Sequence, residues 1–148
     1  MGPSSPDTQG LDAGALITLS RARLGKGARL FYTPGIPAGQ IETARRIHGR
    51  SLPVGEAILV LCDTSPTGNA EQGFVITELR LAWKSPWEKP GQALWSAIDR
   101  RTIRAEDGRV WIGKSAIEDL DDLAPHAASL LQEIAAQTQP AGHGPYRR

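Results

Sequence analysis

Three groups of residues in this 148-residue chain have the types and spacing to do chemistry. The first is Cys62 with His48 and Asp63. A thiol needs a nearby base to become a thiolate, and a carboxylate could orient that base, as in a small hydrolase. Against this, Cys62 lies in the apolar run 57–63, AILVLCD, where a free cysteine is ordinarily a small buried hydrophobe. The second group is cationic. Arg100, Arg101, Arg104, Arg109 and Lys114 fall close together, diluted by Asp99, Glu106 and Asp107, while Arg80 and Lys84 share one strand face by the two-residue period. Such a face could hold a phospholipid headgroup or a nucleic-acid phosphate, and its bland alternative is a solvated sheet face with internal ion pairs. The third group is Trp87 with Glu88 and Lys89, in the segment Ser85-Pro86-Trp87-Glu88-Lys89-Pro90. Two prolines stiffen this loop, so an indole is presented at little conformational cost beside a polar rim. That composition suits an interface anchor, and the expectation is that Trp87 is at least one-third exposed.

Other chemistries find less support. The three histidines, at 48, 126 and 143, form no pair at ligand spacing, and Glu118, Asp119, Asp121 and Asp122 match no calcium-loop pattern. Those carboxylates read as a solvated acidic segment favourable to a following helix N-terminus. There is no glycine-rich phosphate loop, and Ser4, Ser20, Ser51 and Ser65 lack a nucleophile-elbow context. The expectation is a non-enzymatic protein with no cofactor and no metal.

Composition narrows the class further. Lysine plus arginine number 17 and acidic residues 16, a net charge of +1, which disfavours a nucleic-acid wrapper and an acidic tail. Within 115–138 the charge is −5, so the remainder carries +6. No apolar run approaches the roughly 18 residues of a membrane span. The first ten residues lack the order of a secretory signal, and a single cysteine leaves no internal disulfide, so a cytoplasmic location is expected. Glycine and proline total 27 residues, which argues for many turns and short strands.

The elements that must position these residues follow from periodicity. Residues 1–11 read as a disordered leader, 12–138 as a single domain, and 139–148 as a disordered tail. Asp12 could cap a helix through 13–24, although Ile17, Thr18 and Leu19 would equally suit a strand. A strand is expected in ARLFYT and a helix over 37–48, with Ile41, Ala44 and Ile47 on one face. Strands are then expected at 57–63, 73–77, 79–84, 93–98, 102–105 and 109–113, with a tight reversal over Thr77-Glu78-Leu79-Arg80. Asp107-Gly108 is the strongest hairpin signal. Leu123, Ala127, Leu130, Leu131 and Ile134 mark one face of a C-terminal helix, with Pro125 in its first turn.

The stretch Gly73-Phe74-Val75-Ile76-Thr77-Glu78-Leu79-Arg80-Leu81-Ala82-Trp83 resembles the hairpin of bacterial pleckstrin-homology-like (PH-like) domains. There an apolar strand is followed by Thr, two turn residues, Arg, and an apolar strand ending in an aromatic. Gly55-Glu56-Ala57-Ile58-Leu59 resembles the segment before that hairpin, and Ala93-Leu94-Trp95-Ser96-Ala97-Ile98 the strand after it. Leu79 departs from the pattern, since a polar or small residue is more usual there. The resemblance covers about 55–136. It implies an α+β, mainly β fold: a PH-like, partly open antiparallel barrel closed by a C-terminal helix, here with an extra N-terminal helix. The function expected is a non-enzymatic interaction or adaptor module that binds a protein partner or self-associates, with Trp87, Glu88 and Lys89, singled out by their loop's composition, as partner-binding residues. The alternative is an anion binder using Arg80, Lys84, Arg100, Arg101, Arg104 and Arg109, with weak affinity for anionic lipid.

Overall fold

The computed structural model describes residues 11–138. The expected leader and tail, apart from residue 11, lie outside them. Asp12 settles the ambiguous first segment as helix α1, Ala13–Leu24, because its Oδ1 accepts from the Ala15 amide at 2.8 Å and satisfies an otherwise orphaned donor. Leu16, Ser20 and Leu24 form its buried face. The chain then builds β1 (Leu30–Tyr32), α2 (Ala38–His48), β2 (Val60–Asp63), β3 (Gly73–Ile76), β4 (Arg80–Lys84) and β5 (Gly91–Leu94). After two 3₁₀ turns come β6 (Ile103–Glu106), β7 (Arg109–Ile112), β8 (Ser115–Ile117) and helix α3 (Ala124–Thr138).

The strands form two antiparallel meanders, β1-β2-β3-β4-β5 and β6-β7-β8. The architecture is thus α+β and mainly sheet, with three helices. No strand pairing joins the two sheets among the described residues, so they do not form a hydrogen-bonded closed barrel.

Both faces of the five-stranded sheet are covered, which explains why β2 and β3 are apolar without alternation. One face packs Leu61, Val75 and Ala82 under α2, against Ala44, Ile58 and Leu52. The other packs Phe74, Leu81 and Trp83 in one cluster with Ile103, Val110 and Ile117 of the second sheet and Leu130, Leu131 and Ile134 of α3. Helix α3 therefore buries its apolar face in the core shared by both sheets.

Several expected boundaries differ. The run 93–98 is not one strand: β5 ends at Leu94 and Trp95–Ala97 turn into 3₁₀ geometry. The cause is Trp95, whose Nε1 donates to the Thr77 carbonyl at 3.0 Å and whose amide donates to the Leu79 carbonyl. On α2 the second buried residue is His48 rather than Ile47, four residues on from Ala44. The strand expected at 57–63 begins its ladder at Val60. Strand β8, not among the expected strands, lies between the strand expected at 109–113 and the acidic segment that starts at Glu118, and is joined to β7 through Gly113-Lys114, with Gly113 at φ 61°. The Asp107-Gly108 hairpin forms as expected, both residues at positive φ.

The Thr77–Arg80 reversal is held by the threonine. Its Oγ1 accepts from the Leu79 and Arg80 amides at 3.1 and 3.0 Å and donates to Glu56 Oε1 at 2.9 Å. Arg80 pairs with the same carboxylate at 2.7 Å. Glu56, Thr77 and Arg80, three polar residues of the motif, form one largely buried network in which the Arg80 and Glu56 charges are matched.

Candidate functional site

The 85–90 loop joins β4 to β5 and is fixed at its base. Ser85, itself buried, donates through Oγ to the Ala116 carbonyl at 2.8 Å and accepts from the Glu118 amide at 3.2 Å. These bonds tie the loop to β8 of the other sheet. The Glu88 amide donates to the Ser85 carbonyl at 3.2 Å, closing a four-residue turn with Pro86 second and Trp87 third. Proline cannot take a positive φ, and Trp87 has φ 66°, which together define a type II turn. That third position favours glycine, and a tryptophan there is held at a cost of about 1–3 kcal/mol. Yet the indole makes no compensating contact: Trp87 is 99% exposed.

Beside this loop lies a cleft of about 350 Å³ between the sheets, lined by Glu88, Lys89, Pro90, Trp83, Trp111 and Lys114 among others. It is bounded by Gly91 on β5 and by Ser115, Ala116 and Glu118 on and after β8. Trp83 can lie flat there because its register partner is Gly91, where a Cβ would come within 2.5 Å of the indole ring. Trp111 carries the Arg104 guanidinium at 5.2 Å from its ring centre and that of Arg109 at 5.9 Å. Glu118 pairs with Arg109 at 3.1 Å, while Glu88, Lys89 and Lys114 form no ion pair among the described residues. The cleft thus offers the half-buried Trp111, the small edge of Trp83 left open by the core, and a rim with both signs of charge. Trp83 is the core residue its apolar strand suggests, and what the sequence did not show is the approach of Trp111 to its edge, which depends on how the two sheets meet.

The cationic residues do not form one face. Arg80 is committed to Glu56 and Gln92, and Lys84 donates to the Ser85 carbonyl. Arg104 pairs with Glu106, and Arg109 with Glu118. Arg100 and Arg101 sit on a 3₁₀ turn beside α3, where they line a second cleft of about 690 Å³ with Arg23, Ser129 and Glu133. Arg23 already bonds Ser129 and Glu133, and Arg101 bonds Asp99 at 3.0 Å. The expectation of a shared Arg-rich sheet face is therefore corrected: two residues lie on the first sheet, two on the second, and two on the 3₁₀ turn between. A double Arg100→Ala, Arg101→Ala variant is expected to melt within about 3 °C of the wild type, because exposed charges contribute little to folding. A fall above about 10 °C in a thermal melt would show them to be structural.

Cys62, His48 and Asp63 are not assembled into a triad. Cys62 points into the core shared with α3, while α2, with His48, covers the opposite face. Burial pushes the Cys62 thiol up to about 12, so it stays protonated at neutral pH. Asp63 accepts from the Ser65 amide and hydroxyl and from the Ala70 amide, organising the 64–72 loop. Among the described residues no group of three or more His, Cys, Asp and Glu could hold a metal ion. No helix there is long and apolar enough to cross a membrane.

His48 has a pH consequence. Burial, and secondarily the Lys84 charge, lowers its pKa to about 4 from an ordinary 6.5. The unfolded chain therefore binds the proton first as pH falls. The contribution of neutral His48 is complete above about pH 6.5 and is lost progressively toward pH 4, on the order of 3 kcal/mol in all. A His48→Met variant should show a flatter stability profile between pH 7 and 4.5 in urea melts. Parallel profiles for the two proteins would remove His48 as the cause.

No protein-family model, curated protein or solved structure matches the chain.

Proposed function

We propose that this chain is a non-enzymatic interaction module of PH-like design, and that the Trp87 loop with its adjoining cleft is the face that binds a protein. One observation carries the reading. A fully exposed tryptophan is held at a strained backbone position, in a loop anchored to both sheets, beside an aromatic cleft with a charged rim. Exposed tryptophan does nothing for a monomer's stability, whereas a rigid indole with an adjacent polar rim is the composition of a binding hot spot. The PH-like assignment draws support from the Glu56–Thr77–Arg80 network, the two antiparallel meanders and the terminal helix packed across both. On this reading the chain is a binding module rather than an enzyme. The single thiol, buried and protonated, lends nothing to a hydrolase.

The test separates binding from folding. Trp87→Gly relieves the positive φ and should melt at or above the wild type, since the relieved strain offsets the flexibility that glycine adds. A photo-crosslinking residue at position 87 should capture a protein in cells, and the same residue at Val54, also exposed, should not. Equal labelling from both positions would sink the assignment.

A second reading rests on the cleft bearing Arg23, Arg100 and Arg101, which could take an anion if Glu133 gave up Arg23. Retention of the wild type on anionic liposomes, lost in the double Arg100/Arg101 variant, would favour it.

A further inference from the structure

We infer that the occupant of this face is a second copy of the same chain, in a two-fold arrangement where each Trp87 enters the partner copy's cleft between Trp83 and Trp111. The inference rests on the binding role proposed for the Trp87 loop and adds the identity of the partner. Knob and hole lie side by side. Glu88, Lys89 and Pro90, the residues directly after Trp87, form one wall of the cleft, yet Trp87 leaves its own cleft unfilled. A two-fold axis passing beside the loop brings each indole opposite the other copy's cleft, so one surface suffices for a closed, isologous pair. A cleft of 350 Å³ is small for a cofactor and suits one large side chain.

Charge supports the same occupant. The cleft presents Glu88, Lys89 and Lys114 without ion pairs among the described residues, while Glu118 is already held by Arg109. An acidic partner would meet Glu88 and a basic one would meet Lys89 and Lys114, whereas a second copy can set its Glu88 against one of these lysines. A second copy turned by 180° meets this rim with the opposite signs available, and Lys89 and Lys114 have no ion pair of their own to give up. The contact is modest in area. One indole buries about 150–250 Å², so two fall below the roughly 800 Å² per partner of a standard interface unless the loops add to it. A micromolar, concentration-dependent dimer is expected.

Sedimentation velocity on the full chain from about 1 to 300 μM tests this. The wild type should pass from monomer to dimer, and Trp87→Gly should weaken the dimer at least tenfold while keeping its melting temperature. The Lys89→Glu, Lys114→Glu double variant should fail to self-associate but form a mixed dimer with Glu88→Lys, which restores opposite charges across the contact. A wild type that stays monomeric at 300 μM overturns the inference. If the position-87 crosslinker then still captures a different protein, the binding face stands with another occupant; if it captures nothing, both readings fall. A dimer unaffected by Trp87→Gly, or charge variants that associate alone as well as mixed, also overturns it.

Discussion

Replacing Trp95 with alanine should destabilise the chain by at least about 4 kcal/mol, enough to unfold a domain of ordinary stability at moderate temperature. Trp95 is 1% exposed, among the largest fully buried side chains, and part of the core shared by both sheets. Truncation leaves a large cavity in the core shared by both sheets and α3, whose elements are pinned elsewhere and cannot collapse freely. It also removes the donor to the Thr77 carbonyl, leaving that group unpaired in the interior. Trp95→Phe separates the two losses. It retains most of the volume but not the hydrogen bond, and should cost roughly half as much. Equilibrium urea unfolding of the three proteins measures this. An alanine variant within 1 kcal/mol of the wild type would show that the two sheets and α3 are not organised around this residue.

Gly73→Ala should be nearly as severe, on the order of 4 kcal/mol, for a different reason. Gly73 opens β3 at φ 129°, where an L side chain is rarely accommodated. A Cβ there would lie 1.9 Å from the Cys62 carbonyl oxygen and 3.1 Å from the Thr64 amide nitrogen. Both are backbone atoms, so no rotamer change relieves the clash. The β2–β3 ladder, in which Asp63 is opposite Gly73, would have to open, and with it the loop that Asp63 holds through Ser65 and Ala70. A melting temperature lowered by more than about 8 °C is expected, and one lowered by less than 2 °C would place the strain elsewhere. Neither substitution touches the Trp87 cleft, so loss of binding in either variant should follow loss of fold.

Much of the architecture was legible in the chain because it is decided by neighbours in sequence. Asp12 caps α1, Asp107-Gly108 turns a hairpin, and Pro125 lies in the first turn of α3, each through chemistry within four residues of itself. Thr77 organises the 77–80 reversal for the same reason. The exposure of Trp87 was legible too, since two prolines and two charges within a few residues leave an indole little apolar surface to meet. What the chain could not disclose was which distant residues would meet. Arg80 looked like part of a cationic face until Glu56, 24 residues away, neutralised it. His48 and Cys62 looked like partners until the sheet came between them. Trp83 and Trp111 read as two strand residues, and only the docking of the sheets through Ser85 and Ala116 brings them to one cleft. Local hydrogen bonding and hydrophobic period determined the elements; the assembly of the site depended on sheet packing, whose long-range contacts leave no periodic mark along the chain.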